Sequence, residues 1–155
     1  MTPAAFYYHF SSRDQLLKEI VRGFADEWVG LGEKLWSDAS SYDEIIAVVP
    51  ALLDWAAEDS QPAIMYFVTT AGASLAIEGF RHEARDNLVH AATEALRRVS
   101  GTRKRAKQGV DGLALVVISE IAARAELSLD QSYRTLGPRR FREEVTKLCR
   151  RTLGF

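Results

Sequence analysis

The sequence predicts an all-α protein, and three observations support that prediction. Apolar residues recur at intervals of three and four along most of the chain, as expected for helices with one buried face. Alternation of apolar and polar residues, which is typical of strands, never persists beyond a few positions. Serine, proline and glycine divide the helical patterns into segments. With 155 residues, 47% hydrophobic and 26% charged, the chain is long enough for one domain with its own core.

The first long helix is expected to begin after Ser12, with Gln15 in the capping-box position. A single apolar stripe follows, formed by Leu17, Ile20, Phe24, Trp28, Leu31 and Leu35. The whole pattern predicts a helix of about 25 residues, which at about 1.5 Å per residue is long enough to cross a small domain.

A second helix is predicted to start near Ser41, with Glu44 as its capping-box partner. Pro50 lies inside this pattern and should kink or split the helix. After a polar break, Pro62 is expected to open a third helix that runs to about Ile77. Because this segment contains no charged side chain, we expect it to be buried on all sides as the central helix.

The remaining chain predicts three further helices, at about Phe80–Val99, at about Ala106–Leu127, and from Pro138 onward. The fifth helix has two apolar stripes, formed by Val110, Leu113, Val117 and Ile121 and by Leu115, Ile118 and Ala122.

The second of these stripes predicts a homodimer. A surface helix in a monomer needs one buried stripe, so the other would be an exposed apolar patch unless a partner covers it. Pairing the last two helices with their two-fold mates would bury the patch in a four-helix bundle. The alternative is a monomer in which this stripe packs under the last helix. The predicted interface residues are Leu115, Ile118, Ala122, Phe141, Val145 and Leu148.

Composition and motifs exclude several classes of function. The one cysteine excludes a disulfide framework and a multi-thiolate metal site. The chain lacks a phosphate-binding loop and a dinucleotide fingerprint, so we predict no enzyme activity and no cofactor. A secretory signal and a membrane-length apolar stretch are also missing, which predicts a cytoplasmic protein without a membrane partner. A net charge of −1 identifies no partner, although residues 81–107 are basic and residues 24–80 are acidic.

His82, Asp86 and His90 are spaced i, i+4 and i+8 on one predicted helix, within reach of a shared metal. Three ligands from one helix would leave half the coordination shell empty. A helical-bundle metalloprotein is therefore the least favoured interpretation, and we assign no metal ligand.

One face of the third predicted helix mixes apolar and hydroxyl side chains, as expected for a ligand cavity with a few orienting polar groups. Two tryptophans are candidate walls from neighbouring helices. The alternative is that the threonine hydroxyls bond to helix carbonyls and the tyrosine reaches the surface. The cavity would bind a small apolar or aromatic effector, and its predicted lining residues are Trp28, Trp55, Met65, Tyr66, Thr69 and Thr70.

The most specific pattern lies at the start of the chain, where residues 2–17 read TPAAFYYHFSSRDQLL. Thr2 can cap a short helix and Pro3 can open it, and the small side chain of Ala5 would permit close approach to DNA. Tyr8 and Arg13 are donors suited to base edges and phosphates.

This segment resembles the signature of the TetR family of transcriptional repressors. In that family a short recognition helix ends in an aromatic–Tyr–aromatic–His–Phe cluster, and a basic residue starts a long connecting helix. The resemblance implies a ligand-responsive homodimer whose full-length form binds operator DNA, with Tyr8 and Ala5 facing bases. The residues it assigns to DNA binding are Thr2, Pro3, Ala5, Tyr7, Tyr8, His9 and Arg13.

The resemblance divides the chain into residues 1–11, a remnant of a helix-turn-helix head, and residues 12–155, an all-α ligand-binding and dimerisation domain. The family's head has three helices, and this chain starts at the third. Such a start implies a shortened form, a misplaced start codon or a relative that has lost DNA binding, and it predicts weak DNA binding by this chain alone. The alternative function is a stand-alone small-molecule-binding α-helical domain.

Overall fold

The computed structural model describes residues 12–101 and 105–155, and within these ranges every regular element is helical. The all-α prediction is therefore confirmed. A π-helical turn, Met65–Thr69, follows the third helix. In chain order the helices are α1 Arg13–Asp38, α2 Tyr42–Glu58, α3 Ser60–Ile64, α4 Leu75–Ser100, α5 Arg105–Leu127, α6 Gln131–Leu136 and α7 Pro138–Leu153.

Serine caps fix where the first two helices begin. Ser12 Oγ accepts a hydrogen bond from the Gln15 backbone N–H at 3.1 Å, and Ser41 Oγ accepts one from that of Glu44 at 3.2 Å. The Glu44 carboxylate accepts from the backbone N–H and hydroxyl of Ser40, at 2.7 and 2.8 Å, instead of closing the capping box. The predicted starts of α1 and α2 are confirmed.

Pro50 was predicted to kink or split helix α2; the helix continues through Pro50, so the split does not occur. Proline removes one backbone hydrogen bond, the one that its nitrogen would donate to the carbonyl of Ile46. Burial of the apolar face on both sides of the proline, including Ile45 and Leu52, outweighs that loss.

The predicted long central helix from Pro62 to Ile77 is also wrong. Helix α3 ends at Ile64, the π-helical turn ends at Thr69, and Gly72 takes a left-handed φ of 73°. Ser74 then caps α4, and Leu75 at its first position is 93% exposed. Without charged residues the sequence did not distinguish a buried helix from a neutral turn.

The 26-residue helix α4 takes the central place instead, because it packs along both α1 and α5. Helices α2 and α7 complete the core around them. The α4–α5 crossing is close at Gly112, where a Cβ would lie 3.0 Å from the backbone nitrogen of Thr93. None of the helices formed by residues 12–101 and 105–155 combines the length and the hydropathy needed to cross a membrane.

Candidate functional site

Helices α1 and α2 and the π-helical turn bring five aromatic rings together. Phe24 lies at the centre of this aromatic cluster, with its ring centroid 4.8 Å from that of Tyr66 and 5.3 Å from that of Trp55. The ring of Trp28 meets that of Phe67 edge-on at 5.1 Å. These distances are typical of favourable aromatic pairs, so the rings fill the space between the three elements.

The six predicted effector-binding residues do not line one cavity. Trp28 and Tyr66 are buried in the aromatic cluster, and Tyr66 lines a different cavity from Trp55. Thr69 is exposed and Met65 is half-buried. Thr70 Oγ1 donates to the carbonyl of Met65 at 2.6 Å, which is the alternative role considered for the threonine hydroxyls.

A cavity of about 230 Å³ lies beside the aromatic cluster, between the π-helical turn, the start of α4 and the second half of α5. We call it the arginine cavity because three arginines line it. Its lining residues are Tyr66, Phe67, Ala71, Gly72, Glu78, Arg81, Arg85, Glu120, Ile121 and Arg124.

Arg81 is the most buried cation of this cavity. Its guanidinium carbon lies 4.6 Å from the centroid of the Tyr66 ring, within cation–π range, and Nη2 donates to Thr70 Oγ1 at 2.8 Å. Its Nε lies 3.3 Å from Glu78 Oε1 but makes no hydrogen bond within the described part of the chain. Burial lowers the pKa of Arg81, and the neighbouring tyrosine and carboxylates offset this lowering only in part.

Burial also raises the pKa of Tyr66 above its ordinary value of about 10. The nearby Glu120 carboxylate raises this pKa further. Tyr66 therefore stays protonated at neutral pH, and its hydroxyl remains a hydrogen-bond donor.

An ion pair between Arg85 and Glu120 joins helices α4 and α5 at the cavity. Nη2 and Nε of Arg85 on α4 donate to Glu120 Oε2 on α5 at 2.7 and 3.0 Å. These hydrogen bonds raise the pKa of Arg85, although its burial alone would lower it. Arg124, one helical turn after Glu120, forms no ion pair among the described residues.

The walls of the arginine cavity therefore carry three cations and two carboxylates, an excess of one positive charge. Four other cavities of the described chain have more carboxylates than lysines and arginines in their walls. The one beside Trp55, for example, is lined by Glu19, Glu27, Glu58 and Asp59 and by no basic residue.

The predicted dimer face requires a correction. Leu115 is 0% exposed and Ala122 is buried, so both belong to the chain's own core, as do Phe141 and Val145. Ile118 is half-buried. Helical periodicity separated the two stripes of α5 but did not show which one faces inward. On α5 and α7, the exposed large apolar residues are Val110, Leu113 and Ile121 of the other stripe and Leu148.

His82 Nε2 and Asp86 Oδ2 lie 3.5 Å apart on the exposed surface of α4. Across residues 12–101 and 105–155, no three His, Cys, Asp or Glu side chains are grouped to hold a metal ion. The spacing of His82, Asp86 and His90 therefore does not produce a three-ligand cluster.

Six of the seven residues assigned to DNA binding, Thr2, Pro3, Ala5, Tyr7, Tyr8 and His9, lie outside the described residues. Arg13, the seventh, is exposed at the first position of α1.

Sequence reasoning missed the three arginines of the cavity, although the i, i+4 spacing of Arg81 and Arg85 was a usable signal. No protein-family model, curated protein or solved structure matches this chain.

Proposed function

We propose that this chain is the ligand-binding and dimerisation part of a TetR-type, ligand-responsive transcriptional regulator. The observation that carries the proposal is the segment from Thr2 to Arg13, because neither composition nor core packing requires its order of aromatic, histidine and basic residues. Helix α1 begins at the end of this segment and extends for 26 residues, about 39 Å, along α4. That length suits a connection between a DNA-reading head and a ligand domain.

The proposal predicts two different effects on DNA binding when two preceding helices of a TetR-type head are fused ahead of Thr2. Arg13→Ala should weaken binding to all sequences about equally and reduce the salt dependence by about two ions per dimer, because each protomer loses a phosphate contact. Tyr8→Ala should instead change the preferred bases. Selection from random duplex DNA, followed by anisotropy titrations at two salt concentrations, measures both effects.

Arg139→Ala is the matched control for the DNA titrations, since Arg139 is exposed on α7, far along the chain from the proposed head. Its affinity and salt dependence should equal those of the parent protein. Failure to select any sequence, or equal loss of base preference in both head variants, would contradict the assigned roles.

The same proposal includes a homodimer, formed through Val110 and Leu113 of the exposed stripe on α5. Val110 and Leu113 lie about one helical turn apart, so together they form apolar surface that a partner helix can cover. Leu148 on α7 is also exposed, so both helices can contribute to an isologous four-helix bundle.

Leu113→Glu should convert the dimer into a monomer, because a carboxylate would be buried at the centre of the interface. Light scattering after size exclusion should give twice 17.3 kDa for the parent protein and 17.3 kDa for the variant. Leu75→Glu is the control, since Leu75 is exposed outside the stripe, and should remain dimeric. A parent protein that is monomeric at micromolar concentration would refute the dimer. So would a Leu113→Glu variant that stays dimeric.

One observation favours the alternative of a stand-alone small-molecule-binding domain. The arginine cavity is formed by the π-helical turn, the residues that follow it, α4 and α5, so ligand binding there requires no DNA-reading head. Ligand binding without any selected DNA sequence would support this alternative over the regulator.

A further inference from the structure

We propose that the arginine cavity binds a small organic monoanion, namely a carboxylate carried on a flat apolar body. The inference names the ligand class of the proposed regulator and in that respect rests on the proposed function. Binding itself depends only on the described residues of α4, α5 and the π-helical turn.

Charge is the first reason. The cavity walls have one positive charge in excess, and the guanidinium of Arg85 is already bound to Glu120 by two short hydrogen bonds. Of the two remaining guanidinium groups, Arg81 lies beside Glu78, so the excess charge resides mainly on Arg124. A monocarboxylate would neutralise it, whereas a cation would add to it and a dianion would leave negative charge beside Glu78 and Glu120.

Unused hydrogen-bond donors are the second reason. Only Nη2 of Arg81 donates a hydrogen bond within the described chain, although the guanidinium is largely buried. A buried donor without an acceptor is unfavourable, and a carboxylate is the acceptor that guanidinium geometry fits best. Arg124 at the rim supplies a second guanidinium that no described carboxylate occupies.

The apolar walls and the size of the cavity define the rest of the ligand. Phe67, Ala71 and the exposed side chain of Ile121 provide apolar surface in the cavity wall. A volume of about 230 Å³ lies below the range for drug-sized ligands, so the cavity suits one or two fused rings and excludes a nucleotide. These walls would bind the hydrophobic body of the anion by excluding water.

A charge series of one shape tests the proposal on the full 155-residue chain without DNA. 2-Naphthoate, 2-naphthamide and 2-naphthamidine share a ring system and differ mainly in head-group charge. Calorimetric titration should show binding of naphthoate, at least tenfold weaker binding of the amide and none of the amidine. Inorganic phosphate alone should bind at least tenfold more weakly than naphthoate, because it lacks the apolar body.

Substitution of one arginine tests whether naphthoate binds in this cavity. Arg124→Gln should weaken naphthoate binding about tenfold and leave stability unchanged, since Arg124 is exposed and unpaired among the described residues. Arg140→Gln, an exposed arginine on α7, is the matched control and should bind naphthoate like the parent. In a methyl NMR spectrum, naphthoate should shift the Ile121 δ1 signal, which an Ile121→Val variant assigns.

Equal affinity for acid and amide, an unchanged Arg124→Gln variant, an unmoved Ile121 signal or no binding at millimolar naphthoate would each overturn the proposal. The DNA selection described above is a separate measurement. A chain that binds DNA but not naphthoate would overturn this ligand class and leave the regulator intact. The reverse result would leave the anion site intact and remove the regulator.

Discussion

Replacing Arg142 with methionine is expected to lower the free energy of unfolding by about 3–5 kcal/mol. Nη1 and Nη2 of Arg142 on α7 donate to the Glu126 carboxylate on α5 at 2.6 and 3.0 Å. The Glu126 side chain is only 10% exposed, so loss of its partner would leave a buried, uncompensated charge. Nε of Arg142 also donates to Asp54 on α2 at 2.5 Å, and one side chain therefore joins three helices.

Two opposing effects act on the pKa of Arg142. Burial by itself would lower this pKa, but the hydrogen bonds and charges of Glu126 and Asp54 outweigh it and raise the pKa above the ordinary value. The charged form is thus the one that the folded chain stabilises.

Urea denaturation of three variants measures the effect of removing this pair. Arg139→Met, an exposed arginine of the same helix with a loose ion pair to Glu143, should change stability by no more than about 0.5 kcal/mol. Arg142→Met combined with Glu126→Leu should recover much of the loss, because no buried charge remains. A cost below about 1 kcal/mol for Arg142→Met alone would show that Glu126 is well solvated without its partner.

Gly112→Ala is expected to destabilise the protein by about 1–3 kcal/mol, although alanine favours helix over glycine by about 1 kcal/mol. The added Cβ on α5 would lie 3.0 Å from the backbone nitrogen of Thr93 and 3.2 Å from its Cα, and closer still to its hydroxyl oxygen. A side chain can rotate away from a new methyl group, but a helix backbone cannot. The α4–α5 crossing must therefore widen, and core contacts along both helices loosen.

Gly109 on the same helix provides the opposite expectation. A Cβ there meets no heavy atom within 4 Å, so Gly109→Ala should stabilise the chain by about 0.5–1 kcal/mol. Thermal and urea unfolding of the two variants should therefore change in opposite directions. If Gly112→Ala were as stable as Gly109→Ala, the two helices would not be in the close contact described.

Local signals predicted the fold well where one short segment determined the outcome. Ser12, Ser41 and Pro138 sit at helix starts because capping and proline geometry depend on a few neighbouring atoms. The π-helical turn and short helix α6 escaped prediction. Ending a neutral segment at Thr69 depends on tertiary packing, which the spacing of apolar residues does not record.

Less of the candidate site could be predicted. Of the residues on the mixed face of the third predicted helix, Tyr66 lines the arginine cavity and Thr70 accepts a hydrogen bond from its Arg81. The pairing of Arg85 with Glu120 spans 35 positions, and nothing in either local segment specifies it. The two apolar stripes of α5 lie on different faces of the helix, one largely buried and one largely exposed. The positions of α4 and α7 decide that Leu115 is in the core.

The π-helical turn described above holds the rings of the aromatic cluster in a particular register. Its closing bond runs from the Thr70 N–H to the carbonyl of Met65 at 3.1 Å, and the Thr70 hydroxyl donates to the same oxygen. Arg81 donates to that hydroxyl. A π-helical turn holds one residue more than an α-helical one, so reversion to α-helix would rotate Tyr66 relative to the following chain by about 100°. The Arg81 guanidinium therefore stabilises the π-helical register, because it bonds to the same hydroxyl that closes the turn.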